Sequence, residues 1–248
     1  MQLPGILLPG GDRDQITIPW TVRSVLIASG LVVAVFVGTV ILVSIAVSLA
    51  GESRDWLDDG QLLGFPASLA LAAVLEAFFL GAVLLVVNVK DWAGVRQLGF
   101  IPATGRAPYA LALGAWFVGL VASGLWILLS ETTGIDALQP PDSASEVLDY
   151  SGGKLVLPII VVGLFGPFCE EVFFRGFALP AFVKRYGMWG GIALSAALFS
   201  VFHFSIGLLV PVFIFGIVLG WLYARTGSIY PSMVAHAVQN VVALLLVN

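Results

Sequence analysis

Glu170 and Glu171 stand side by side directly after the uncharged run 155–169, and they open the string Glu170-Glu171-Val172-Phe173-Phe174-Arg175-Gly176. An ionised side chain at bilayer depth costs at least ~2.5–3.5 kcal/mol on insertion scales, so acids placed there are candidates for chemistry. Helical spacing separates the two. Glu171 and Arg175 are four apart and share a face, which predicts a salt bridge within one helix. Glu170 is turned about 100° away, over Gly166 and beside Phe173 and Phe174. A carboxylate left without a cation in an apolar setting is a candidate general base, and Gly166 leaves space for a water or a substrate backbone. A charge network that fixes helix packing accounts for Glu171 and Arg175, and supporting roles are assigned to them. It does not account for Glu170.

The two histidines, His203 and His236, also lie in uncharged stretches. His203 follows Phe199 by four residues and His236 precedes Asn240 by four, so each pair shares a helix face. Glu170, His203, His236 and Asn240 together offer a base and several donors for an oxyanion. The alternative is a site in which Glu170, His203 and His236 hold a divalent ion such as Zn. Asn is a poor zinc ligand and no His-Glu-x-x-His string is present, so the metal-free reading leads and no other cofactor is indicated. Glu76, a further acid in an apolar segment, is read as a packing residue ahead of a supporting partner. Cys169 is the lone cysteine, which excludes an intrachain disulfide; it reads as a buried apolar filler rather than a thiol nucleophile.

Side chains of this kind need long apolar helices to carry them. The 248 residues are 59% hydrophobic and only 10% charged, far from the roughly 25% charge of an ordinary soluble domain. Uncharged stretches at 24–51, 107–130, 186–224 and 226–248 fix the class as an all-α, polytopic transmembrane bundle. Seven spans are predicted, at 24–50, 62–89, 109–130, 155–179, 188–205, 208–224 and 229–247. Residues 1–154 form a three-span N-terminal region ending in the acidic loop 131–154 with Pro140 and Pro141, and 155–248 form the block that holds every motif. The first span is too long, and begins too far from Met1, to read as a cleaved signal peptide.

Basic residues set the orientation. Alternate loops hold Arg13 with Arg23, Lys90 with Arg96 and Arg106, Lys184 with Arg185, and Arg225, whereas the opposite loops hold only Arg54 and Lys154 among nine acids. That bias predicts a cytoplasmic N-terminus, and the expected location is a bacterial inner membrane. Trp20, Trp56, Trp92, Trp189 and Trp221 fall near span ends, where interfacial anchors belong. Counted at 1.5 Å per residue from the cytoplasmic ends, Glu170 lies roughly 14 Å deep, His236 roughly 10 Å and His203 roughly 22 Å, so His203 is predicted deeper than its partners. No basic cluster suggests nucleic acid as a partner.

Glu170-Glu171-x-x-x-Arg175, Phe199-x-x-x-His203 and His236-x-x-x-Asn240 resemble the successive motifs of the CPBP family, the CaaX protease and bacteriocin-processing group, also called Abi. The similarity extends to Gly176 after the first motif and to 222–228 before the last, and covers about 155–245. It implies an intramembrane endopeptidase acting on a peptide or protein substrate with a membrane-embedded or lipidated segment. Matched by position, Glu170 would activate water, His203 would be a catalytic or ligand histidine, and His236 and Asn240 would complete the site. Family descriptions often say metalloprotease, although the same residues can work without metal. Eight residues follow Asn240, where eukaryotic relatives have an additional helix. Two other readings use the same residues: a proton-coupled transporter or channel relaying through Glu76, Glu170 and Glu171, and a non-catalytic immunity or scaffold protein. The absence of internal repeats and the grouping of both histidines with Asn240 favour hydrolysis.

Overall fold

The structure, a computed structural model, describes residues 18–51, 61–62, 65–87, 92–139 and 155–247. Expectations for Arg13, Arg54, Trp56, Lys90, Lys154 and the acidic segment 140–154 fall outside the described residues, as does the side chain of Trp92. The chain is an all-helical membrane bundle with one short antiparallel pairing. Its elements are α1 (Val22–Leu49), β1 (Gln61–Leu62) paired with β2 (Phe65–Pro66), α2 (Ala67–Val87), α3 (Trp92–Gln97) and α4 (Ala107–Thr133). After a 3₁₀ turn at Asp136–Leu138 come α5 (156–186), α6 (188–201), α7 (Ile206–Thr226) and α8 (Ile229–Val247).

Six apolar helical stretches are long enough to cross a bilayer, and one of them, Val156–Val201, is 46 residues long. At 1.5 Å per residue that is about 69 Å, roughly twice the hydrocarbon thickness. The stretch is broken at Gly187, whose φ of 77° and ψ of 173° are not helical. A Cβ built on Gly191 would collide with Val183 Cγ2, so the chain folds back on itself there and α5 and α6 are separate helices. The seven expected spans and the six long stretches differ only by this break.

Helix α5 is central. It packs against α2 on one side and α8 on the other, with α7 running along α6 and α4. The burial pattern follows from that placement: 44% of the hydrophobic window in 156–201 is enclosed by protein, but only 6% of that in α1. The outward face of α1, with Leu26, Ile27, Ile41, Leu42 and Leu49 exposed, belongs to lipid. Trp189 and Trp221 are exposed at helix ends as anchors should be. Trp20 is not an anchor. It is buried, and its Nε1–H donates to Phe177 O at 2.8 Å, which ties the segment before α1 to α5.

Small residues set the closest approaches, as expected where lipid gives helices no hydrophobic reason to associate. A Cβ on Gly176 would meet the backbone oxygen of Leu98 at 2.7 Å, and one on Gly163 would meet Val241 Cγ2 at 2.8 Å. Backbone cannot swing aside as a side chain can. Gly176→Ala is therefore expected to destabilise the bundle by about 1–3 kcal/mol, the usual range for overpacking. A thermal melt in detergent checks this; a midpoint equal to wild type would show that the 98–101 segment yields freely.

Candidate active site

The glutamate pair sits on a regular turn, Gly166–Glu171, between two stretches of α5 where the helix is widened. Over Ile159–Phe165 and Val172–Ala178 the backbone bonds reach five residues back, ending with Gly166 N–H to Val161 O and Leu179 N–H to Phe174 O. Such π-type stretches gather at functional sites, and in a membrane the backbone carbonyls of a widened helix are well served by added donors. Side chains from elsewhere supply them. Asn240 Nδ2 donates to Val162 O (2.9 Å), Ser195 Oγ to Phe174 O (2.9 Å), and Trp20 Nε1 to Phe177 O. Three separate elements thus hold α5 in the shape that presents Glu170 and Glu171.

The predicted bridge is present: Arg175 Nη1 donates to Glu171 Oε1 at 2.8 Å, both side chains being essentially inaccessible. The guanidinium lies over the Phe199 ring, 4.2 Å from its centroid, and Nη2 reaches Gly216 O at 3.5 Å. His236 on α8 then joins the two glutamates. Its Nδ1 is 2.9 Å from Glu171 Oε1 and its Nε2 is 3.3 Å from Glu170 Oε2. Phe199 and Phe215 wall the imidazole edge-on, with centroids 5.5 and 5.7 Å away.

This geometry dictates a proton count. Glu171 is ionised opposite Arg175 and accepts from His236 Nδ1–H, so Nδ1 carries hydrogen. His236 Nε2 and Glu170 Oε2, 3.3 Å apart, are placed to share one further proton, on either atom. In both arrangements the group Arg175, Glu171, His236 and Glu170 sums to zero charge, which suits a site at this depth. His236 is thereby a proton partner of Glu170, held in orientation by Glu171.

Glu170 opens onto a cavity of about 230 Å³ lined by Glu76, His203, Val32, Phe36, Phe79 and Phe202 among others. His203 and Glu170 therefore share one cavity despite the depth difference inferred from residue counting. Helix α6 ends at Val201, so His203 lies in the turn that follows rather than inside a span ending at 205. Its Nδ1 is 2.9 Å from Phe199 O, and a carbonyl only accepts, so Nδ1 donates and Nε2 is the free acceptor. At the same turn Phe204 takes φ 49°, a conformation rare for a bulky residue, and stacks on Phe36 with centroids 5.3 Å apart. Asn240 is engaged with Val162 and is not among the residues lining the cavity.

The ligand set of the alternative, metal-bound reading is not gathered in this structure. Both His236 nitrogens face carboxylate oxygens, His203 Nδ1 is taken by a carbonyl, and among the described residues no three His, Cys, Asp or Glu side chains converge as a metal set. Cys169 is fully buried in the aromatic core beside Phe173 and Phe174, as a filler would be.

Three contributors escaped sequence reasoning or were underweighted by it. Phe199 carries Arg175 as well as His203, and nothing in its spacing announces the first contact. Ser232 Oγ, which donates to Ile229 O at 2.9 Å, lies within reach of the Glu171 carboxylate; its position four before His236 was the available signal. Glu76 was read first as packing, yet it lines the cavity.

A polar array buried within a bundle of membrane-length apolar helices, open on one side to a cavity, defines a membrane protein with a chemically equipped interior. Residues 152–242 match the family model described as type II CAAX prenyl endopeptidase Rce1-like. Over 90 residues the chain is 28% identical to the "Putative membrane peptidase YdiL" of Bacillus subtilis (strain 168), a match spanning 36% of this chain and 37% of that relative. No solved structure matches significantly. Both matches fall on the block that carries the three motifs and are consistent with the CPBP family, so the resemblance is borne out over that block.

Proposed function

We propose that the chain is an intramembrane endopeptidase in which Glu170 activates a water molecule for attack on a peptide carbonyl. The observation that carries this reading is the placement of Glu170 between His236 and the cavity: one carboxylate oxygen has a proton partner 3.3 Å away while the residue faces space for substrate and water. With the shared proton on His236 Nε2, Glu170 takes a proton from water as the C–O bond forms, and the positive charge the group gains is offset by the oxyanion formed on the substrate. His203, through Nε2, accepts a hydrogen bond from the water or from a substrate amide. Glu171 and Arg175 fix His236, and Asn240 fixes the widened helix that presents Glu170; these are positioning roles. Metal-free chemistry is favoured because Glu170 has its proton partner in His236 Nε2, and among the described residues no three His, Cys, Asp or Glu side chains gather as a metal set.

The substrate class is a peptide segment that reaches bilayer depth, membrane-embedded or lipidated, and CAAX-type cleavage is the closest reading of the family match. The catalytic block 155–248 borrows cavity walls from α1 and α2, so the three-span region acts as part of the site. The Lys and Arg bias places the N-terminus in the cytoplasm. A relay reading is disfavoured because Glu171 is held ionised through Oε1 by Arg175 and His236. Comparative membrane proteomics of cells carrying wild type or Glu170→Gln tests the proposal. Membrane-derived peptide fragments should disappear in the variant; identical fragment profiles would contradict it.

A further inference from the structure

Glu76 is an acid that the proposed hydrolysis does not yet use. It sits mid-way along α2, and its Oε2 is buried without a hydrogen-bond partner among the described residues. Its carboxyl carbon lies 3.5 Å from where a Gly166 Cβ would stand, directly over the turn that carries Glu170. It lines the same cavity as Glu170 and His203, close enough to Glu170 and His236 for their charges to act on it. A side chain at 166 would stand in van der Waals contact with the Glu76 carboxyl.

Glu76 has no cation. Arg175 is the one Lys or Arg buried among the described residues, and it is committed to Glu171, Phe199 and Gly216 O. An orphan carboxyl in an apolar cavity at bilayer depth is far cheaper to keep neutral than ionised. Glu76 thus holds a proton beside the proposed base, with an O–H that no protein acceptor claims.

Resting on the hydrolase reading, we infer that Glu76 is the general acid that protonates the leaving amine. Glu170 removes one proton from water as hydroxide adds to the carbonyl carbon. When the tetrahedral intermediate collapses, the C–N bond breaks and its electron pair stays on nitrogen, which takes the Glu76 proton. Glu76 is left as carboxylate and recovers a proton from Glu170, so the cycle consumes one water and one peptide bond. Two carboxyl groups with opposed proton duties are a known division of labour, each set by its own surroundings.

The test varies the leaving group. Wild type, Glu76→Gln, Glu76→Asp and Glu170→Gln are purified in detergent and assayed on one hydrophobic peptide and on its thiodepsipeptide, in which sulfur replaces the scissile NH. A thiolate departs without help from an acid; an amine does not. Glu76→Gln is expected to lower kcat/KM for the amide by about 100-fold or more while changing thioester turnover less than about threefold. Glu76→Asp should restore part of the amide activity, and Glu170→Gln should slow both substrates. Thioester turnover also reports an intact site, so a purely structural role for Glu76 would slow both substrates together and overturn the inference, as would a Glu76→Gln variant that cleaves the amide normally. Wild type inactive on both substrates would instead overturn the hydrolase reading itself.

Discussion

Glu170→Gln is expected to lower peptide hydrolysis by the purified protein about 100- to 10,000-fold, the usual contribution of a positioned acid–base group. The substitution keeps the shape of the side chain and leaves a polar group within reach of His236 Nε2, now 3.3 Å from Glu170 Oε2. It adds no buried charge, so the melting temperature in detergent should stay near that of wild type. Loss of rate without loss of fold is the signature that separates a base from a packing residue. Initial rates on a hydrophobic peptide, measured beside a thermal melt, provide the check. Undiminished cleavage would remove Glu170 from its role.

Arg175→Leu is expected to be the most damaging single change to stability, by about 3–5 kcal/mol, because it leaves the Glu171 carboxylate buried without its cation. The side chain is fully enclosed, bonded to Glu171 at 2.8 Å and stacked over Phe199 at 4.2 Å. The charge and the packing both matter, so Lys is a poor substitute for the planar group. A control separates the two contributions. In the double variant Glu171→Gln, Arg175→Leu the orphaned charge is gone, and the loss should be smaller than that of Arg175→Leu alone. Unfolding of the set in detergent gives the coupling directly. Strictly additive losses would show that Glu171 and Arg175 are independent, contrary to the geometry.

The sequence was most informative where helical spacing acts alone. The Glu171–Arg175 bridge and the separate aim of Glu170 follow from residue positions on a single helix, and both are present. The break at Gly187 and the burial of Cys169 accord with the predicted division of spans and the filler reading. Spacing could not show how helices face each other. That His236 would bridge both glutamates depends on the approach of α8 to α5. Likewise the engagement of Asn240 with Val162 depends on a helix widening that no residue pattern announces. Trp20 shows the limit of composition rules: a tryptophan near a span end is an anchor unless a freed carbonyl such as Phe177 O claims its N–H. That His203 would line one cavity with Glu170 depends on the turn after Val201, which the spacing on a single helix does not show.

The central claim is that water, activated at Glu170, cuts a peptide bond inside the membrane. Cleavage of a hydrophobic peptide by the purified protein in H₂¹⁸O, under exhaustive chelation, tests it most directly by mass spectrometry of the products. The account predicts cleavage with one ¹⁸O in the newly formed carboxyl group, and almost none from Glu170→Gln. Absence of cleavage by wild type, or equal labelled product from the variant, would contradict it.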